Sequence, residues 1–260
     1  MSRIHPTAIV DPAAELHETV EIGPYAVVGP HVKLGEGTWV GPHAVIEGHT
    51  TIGRFNRIFQ FASVGAVPQD LKYKGQPTEL QIGDGNLIRE FTTLNLGTVE
   101  GGGVTRIGNR NLFMAYVHVG HDTQIGNGCI FANCATLGGH VVVEDHVHFG
   151  GLSAAHQFTR FGAHAFVSGG GLCNMDVPPF TMVTGAPASL VGLNTIGLQR
   201  SGFSDEQIRN VKRAFRILFR EGLVLKEAVA QVRSEIAGDA HVDHMLRFVE
   251  SSERGVTRRA

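Results

Sequence analysis

The sequence predicts a mainly β protein: a parallel solenoid of hexapeptide repeats, closed at its C-terminal end by a small α-helical cap. Three observations carry that prediction. An apolar side chain returns every sixth residue from Ile4 to Cys173; a small residue follows each one four places later; and beyond about Ser204 the period becomes helical. A period of six fits neither a helix nor a simple alternating strand. It fits short parallel strands separated by turns.

In chain order, the first run is Ile4, Val10, Leu16, Ile22, Val28, Leu34, Val40, Ile46, Ile52, Ile58 and Val64, followed at +4 by Ala8, Ala14, Val20, Ala26 and so on. The run resumes at Ile82, Ile88 and Leu94, shifts phase, and continues from Ile107 through Phe113, Val119, Ile125, Phe131, Leu137, Val143, Phe149, Ala155, Phe161 and Val167. The aliphatic residues are expected to point inward, and the glycines that often follow them to supply the φ angles of the turns. Three hexads make one triangular coil, so residues eighteen apart stack at roughly 4.8 Å, the spacing of paired strands.

Two excursions interrupt the repeat, near 65–81 (containing PQDLKYKG) and 97–105 (GTVEGGGVT). Loops of the first length inside a compact domain usually serve function. The three glycines of the second do not make a phosphate cradle, because neither GK[ST] nor a helix follows; a flexible excursion is expected. Pro178 and Pro179 break the rhythm, placing a solenoid domain at 1–193 and a helical domain at 194–260. In the cap, Ser204 with Gln207 resembles a capping box, Ile208, Val211, Phe215, Leu218 and Phe219 form one apolar face, and Gly222 is a stop. Leu225–Ile236 and Val242–Val249 predict two more helices.

Composition narrows the function. A net charge of −2 gives no reason to expect a nucleic-acid partner. Cys129, Cys134 and Cys173 lack zinc-site or disulfide spacing. No signal-peptide core and no membrane-spanning apolar run is present, so a reduced, cytoplasmic setting is expected.

The candidate chemistry lies in the histidines. Hexads beginning at Val119, Leu137 and Ala155 read VGHDTQ, LGGHVV and AHQFTR, which brings His121, His140 and His156 to one side of successive coils, with His118 at the adjoining corner. Three readings stand side by side: surface histidines at turns; a zinc site of three imidazoles with an open position, as in the γ-class carbonic anhydrases; or a general base that takes a proton from a sugar hydroxyl.

The segments IHPTAIV, IGPYAVVGPHV, QFASVG with PQDLKYKG, HVGHDTQIGN, LGGHV, AAHQF, DVPP and GLNTIGLQRSGF together resemble the UDP-N-acetylglucosamine O-acyltransferase family of lipid A biosynthesis over nearly the whole chain. The resemblance implies a left-handed β-helix assembled as a homotrimer with active sites between subunits. It implies transfer of an (R)-3-hydroxyacyl group from acyl carrier protein to the 3-hydroxyl of UDP-N-acetylglucosamine, with no cofactor beyond the phosphopantetheine of the carrier, and no metal. It casts His121, paired with Asp122, as general base, and the Gly139 backbone N–H as oxyanion donor. Asp70, Lys72, His118, His140, His156 and Gln157 match sugar-contacting positions, Asn194 and Arg200 nucleotide-contacting ones, and Gly169 the position that limits acyl-chain length. The related N-acyltransferase carries an extra N-terminal domain, for which hexads beginning at Ile4 leave no room.

Departures from the family pattern bear on the acceptor. Ile196 stands where the family often has Glu, Ser201 where it has a second Arg, and Asn95-Leu96 where it has His-Arg. A 3-amino UDP-sugar, acylated as an amide, is the alternative acceptor these changes suggest. On the first long cap helix, Arg209, Lys212, Arg213, Arg216 and Arg220 read either as a solvated face or as a landing site for acidic acyl carrier protein.

Overall fold

The computed structural model describes residues 3–258. They form a left-handed parallel β-helix of three sheets, containing 11, 9 and 8 strands. Each coil contributes one short strand to each sheet. Ile4 pairs with Ile22, Ile22 with Val40, and Val40 with Ile58. Ile58 then pairs with Ile88, and Ile88 with Phe113, so the 11-stranded ladder passes both excursions in register, while the pairing of Ser63–Ala66 with Thr93–Asn95 shifts register between Val64 and Ala66. Strand pairing is regained sooner than the sequence suggests, because Glu79–Ile82 and Val104–Ile107 pair with each other along their full length.

The inward column is buried as expected, with Val40, Ile46, Ile58, Val64, Leu94, Leu137 and Val167 fully removed from solvent. Phe113, Phe131 and Phe149 stack within it at 4.9 and 5.2 Å between centroids. Each such side chain contributes roughly 1.5–3 kcal/mol by leaving water. The first coil is the exception: Ile4 is exposed and Val10 and Leu16 are half-buried, since that coil has a neighbour on one side only.

The glycines after the aliphatics act differently from the expectation. Positive φ falls two residues later and is carried mostly by larger residues, such as Tyr25, His43, Phe61, Asp122, His140 and Phe158. The glycines are required by close approach: a Cβ on Gly35 would stand 2.6 Å from the carbonyl oxygen of Gly53 on the next coil. The strained left-handed residues are supported by stacking along a corner, where the rings of Tyr25, His43, Phe61, Phe91 and Tyr116 succeed one another at 4.8–5.2 Å. Burial pushes the Cys129 and Cys173 thiols up to about 12, as packing residues.

An antiparallel pair, Thr181–Thr184 with Ser189–Leu193, ends the largest sheet. The cap follows as α1 (Thr195–Arg200), α2 (Asp205–Arg220), α3 (Leu225–Glu235) and α4 (Ala240–Glu250). Ser204 and Gln207 form the reciprocal capping box, and Gly222 adopts φ +75 just beyond α2. Helix α1 has no counterpart in the sequence reading; six residues are too few for a period to show. The tail returns to the solenoid, where Asp176 N–H donates to Gly255 O (3.0 Å) and Thr257 N–H to Asp176 O (2.7 Å). Among the described residues no helix is long and apolar enough to cross a membrane.

Cap and solenoid meet at His164, whose ring lies between His146 (4.8 Å) and Phe180 (6.0 Å) and edge-on to Phe203. Burial first, then the imidazoles of His146, His241 and His244, hold it down to about 4, with Asp145 pulling weakly the other way. An unfolded histidine titrates near 6.5, so between about 6.5 and 4 the unfolded chain binds a proton that the folded chain refuses. Stability from this group is complete above that window and is lost as pH falls through it. We predict that His164→Asn shrinks the drop in denaturation midpoint between pH 7 and pH 5; an unchanged drop would show that His164 does not couple folding to pH.

Candidate active site

The turns that join the 9-stranded sheet to the 8-stranded sheet lie above one another along one corner. Both excursions leave from that corner, and it carries the histidine hexads. The arrangement follows from pairing His118–Val119 with Thr136–Leu137, and Thr136–Leu137 with Ala154–Ala155.

His121 and Asp122 form the centre. His121 Nδ1 lies 2.7 Å from Asp122 Oδ2; the Asp122 side chain is fully buried and that of His121 is 16% exposed. A carboxylate offers only lone pairs, so Nδ1 is the donor and Nε2 keeps its lone pair free. Asp122 is itself held by Thr98, whose N–H donates to Oδ1 (2.8 Å) and whose hydroxyl donates to Oδ2 (2.6 Å). The Asp122 N–H donates to Thr105 Oγ1 at 2.8 Å. The glycine-rich excursion is therefore a tied turn rather than a flexible one: Gly103 N–H donates to Thr98 O (2.7 Å), and the Asp122 carboxyl occupies the space a Cβ on Gly101 would need.

Gly139 lies under the His121 ring, where a Cβ would stand 2.5 Å from Cε1 and 2.6 Å from Nε2. Its N–H has no acceptor among the described residues. His140 sits edge-on to His121 at 5.0 Å and stacks on Phe158 at 4.3 Å. Burial lowers the His140 pKa; Asp122 and Asp70 oppose that and His121 adds to it. His118 accompanies them from the adjacent strand, its Nδ1 2.7 Å from Thr93 Oγ1, with its pKa lowered by burial and then by His121. His118 and His140 are thus neutral hydrogen-bonding groups near pH 7. The charge of Asp70 is felt at His140, so the first excursion, 67–78, reaches the site. In it Asp70 Oδ1 accepts from Lys72 N–H at 2.9 Å, which shapes the turn that carries Lys72.

His156 departs from the expected cluster. It occupies the turn one position earlier than His121, so that Gln157, not His156, continues the column of His121 and Gly139. Its Nδ1 instead meets Arg254 at 2.9 Å. Sequence reading missed Arg254, which belongs to no repeat. The three-imidazole metal set is therefore not assembled. His121, Asp122 and His140 place ligand atoms within 4.8 Å of one another, but both Asp122 oxygens already accept hydrogen bonds and His121 Nδ1 is committed to one of them. That donor set suits orientation of an imidazole better than coordination of an ion.

Asn194 and Arg200 lie elsewhere. Asn194 caps α1, accepting from Gly197 N–H (3.1 Å) and donating to His164 O (3.0 Å). With Arg200 it lines a cleft of about 640 Å³ against the outer face of the 11-stranded sheet, shared with His148, Phe166, Ile196 and Ser201. Gly169 lies at a third place, the corner between the 11- and 9-stranded sheets, with only Gly151 O near the position of a Cβ, at 3.4 Å. One chain thus holds the base and the arginine on different faces.

Residues 176–257 match the family model described as Udp N-acetylglucosamine O-acyltransferase, Domain 2, and residues 105–139 match bacterial transferase hexapeptide (six repeats). The acyl-(acyl-carrier-protein)–UDP-N-acetylglucosamine O-acyltransferase of Myxococcus xanthus is 60% identical, over 99% of this chain and 100% of that protein. The crystal structure of the UDP-N-acetylglucosamine O-acyltransferase from Moraxella catarrhalis superposes with a TM-score of 0.95 at 41% identity, over 98% of this chain and 99% of that one. The UDP-N-acetylglucosamine acyltransferase from Campylobacter jejuni gives 0.94 at 38% identity, over 99% and 100%.

The contact of His121 with Gly139 makes a prediction. Gly139→Ala should push the His121 ring off its place and lower turnover by about 10²-fold, the scale set by misplacing a catalytic group, with the thermal midpoint nearly unchanged. Turnover within twofold of wild type would show that the ring does not depend on that glycine.

Proposed function

The chain belongs to the acyl-(acyl-carrier-protein)–UDP-N-acetylglucosamine O-acyltransferases, and from that footing we propose that it moves an (R)-3-hydroxyacyl group from acyl carrier protein to the 3-hydroxyl of UDP-N-acetylglucosamine, the first step of lipid A biosynthesis. One observation carries the mechanism: His121, locked by a buried carboxylate with Nε2 free, lies directly over the backbone of Gly139. His121 Nε2 takes the hydroxyl proton as the sugar oxygen attacks the thioester carbonyl. The Gly139 N–H receives the developing oxyanion. As the tetrahedral intermediate collapses, the C–S bond breaks, the ester C–O bond remains, and the proton passes from His121 to the departing thiolate of phosphopantetheine. A thiolate leaves readily, so neither metal nor covalent enzyme intermediate is required.

His118, His140 and Gln157 with Asp70 and Lys72 surround the sugar in this reading, Asn194 and Arg200 hold the nucleotide, and Gly169 leaves room for the acyl chain. An arginine suits a diphosphate because its planar fork of donors matches phosphate oxygens. Because the base and the arginine lie on different faces of one chain, a complete site requires a second copy. A homotrimer with sites between subunits meets that requirement. Docking of acyl carrier protein on α2 draws on a reduced field, since Arg213 pairs with Glu235 and Arg216 with Glu221. Arg209 and Lys212 are the better candidates there. The setting is cytoplasmic.

Mixing two inactive variants tests the whole proposal. His121→Ala and Arg200→Ala chains, each alone, should lose at least about 10²-fold in acyl transfer. Co-assembled in equal amounts, they should recover about a quarter of the wild-type sites if each site draws the two residues from neighbouring copies. Run with UDP-N-acetylglucosamine and with its 3-amino analogue, the assay also decides the acceptor. Unreduced activity in His121→Ala would remove the mechanism, and the absence of recovery would remove the shared site.

A further inference from the structure

The contact between His156 and the C-terminal tail fixes a property of the site that the repeat alone does not. Residues 251–258 run back along the last coil of the solenoid and are fastened there. Ser252 Oγ donates to Asp176 Oδ2 (2.7 Å), Thr257 N–H donates to Asp176 O (2.7 Å), and Val256 is buried. Asp176 Oδ1 in turn accepts from Arg160 N–H (2.8 Å), one turn beyond His156. From this anchored segment Arg254 reaches the histidine edge. Its Nε donates to Asn174 O (2.6 Å), and its terminal nitrogen lies 2.9 Å from His156 Nδ1.

Two groups compete for that one ring nitrogen. Gln157 O lies 3.0 Å from His156 Nδ1 and, as a carbonyl, can only accept. The guanidinium can only donate, and it stays protonated at any working pH. A single Nδ1 cannot serve both. The charge-assisted bond is the stronger of the two, so Nδ1 must present its lone pair to Arg254 and the ring proton must sit on Nε2. Among the described residues Nε2 has no partner, and the residue is exposed.

We propose that Arg254 is a positioning residue that holds His156 as a neutral Nε2–H donor, so that His156 offers a hydrogen bond to an acceptor atom of the bound substrate and cannot act as a second base. This inference rests on the acyltransfer reading for its kinetic consequence, but not for its tautomer. The four imidazoles then divide by their partners. His121 is made an acceptor at Nε2 by a carboxylate, and His156 is made a donor at Nε2 by a guanidinium. The hydroxyl and carbonyl oxygens of a sugar or a pantetheine amide are the acceptor class such a donor fits.

The test uses the full chain with 15N-labelled histidine. In wild type the His156 nitrogens should show the Nε2–H tautomer at pH 7.5. In Arg254→Met, which keeps the bulk and loses the donors, the proton should move to Nδ1 toward Gln157 O. Arg254→Gln, which can still donate, should retain the wild-type tautomer. Kinetically, Arg254→Met should lose about tenfold in kcat/KM, the value of one good hydrogen bond. Arg254→Gln should lose less than threefold. In a His156→Ala background the Met substitution should cost less than twofold.

An unchanged tautomer in Arg254→Met would overturn the proposal. So would a tenfold loss that persists without His156, since the tail would then act by structure alone. If no acyl transfer is seen in wild type, the acyltransfer reading fails while the spectra still decide the tautomer.

Discussion

Every feature of the site descends from the fixed pitch of the coil. Backbone N–H groups of one coil donate to carbonyls of its neighbours, forward from Gly120 to Leu137 (3.0 Å) and from Gly138 to Ala155 (3.0 Å), and back from His140 to His121 (2.9 Å). Each such bond is worth only about 0.5–1.5 kcal/mol net. Their number, and the buried aliphatic column behind them, convert a separation of eighteen residues into one strand spacing. Buried asparagines reinforce the pitch at another corner: Asn56 Oδ1 accepts from Asn86 N–H, Asn86 Oδ1 from Asn111 N–H, and Asn111 Oδ1 from Cys129 N–H. A residue placed at one hexad position is thereby placed in space, which is how a catalytic group is held ready before substrate arrives.

Asp122 converts that scaffold into chemistry. A buried carboxylate is costly unless its lone pairs are filled, and here they are filled by Thr98 and His121. The same three bonds bind the second excursion to the corner, fix the turn of the histidine hexad and set the proton on His121 Nδ1. Loop, ladder and base therefore share one joint. Burial lowers the pKa of His118 and of His140, so these two imidazoles add hydrogen-bonding groups to the corner without adding positive charge near pH 7.

Much of this was legible in the sequence, and the limits are physical. The period of six displayed the coil because burial repeats with it, and the hexads of His121 and His140 could be stacked by counting. Counting failed for His156 by one position within the turn, which decides whether a ring faces its neighbour in the column or meets the tail instead. The glycines after each aliphatic were found, but their reason was not: they yield space to the next coil, a contact between residues far apart in the chain. GTVEGGGVT looked flexible because composition cannot show that Gly101 packs on a carboxylate twenty-one residues away. Helix α1 and Arg254 carry no period, and only the folded chain brings Arg254 to the histidine edge. The separation of Asn194 and Arg200 from His121 was legible only through family resemblance, since no repeat encodes an assembly.

Asp122 makes His121 a base by accepting the Nδ1–H hydrogen bond, which holds the ring proton there and leaves the Nε2 lone pair free. The most direct measurement is turnover of Asp122→Asn, with UDP-sugar affinity measured calorimetrically on the same protein. An asparagine can still accept from Thr98 N–H, but its amide then donates toward His121 and drives the ring proton to Nε2, where the lone pair is needed. Asp122→Asn should lower kcat by about 10²–10⁴-fold, the range of general-base catalysis, with sugar affinity within severalfold of wild type. Turnover of Asp122→Asn close to wild type, with the sugar bound normally, would contradict it.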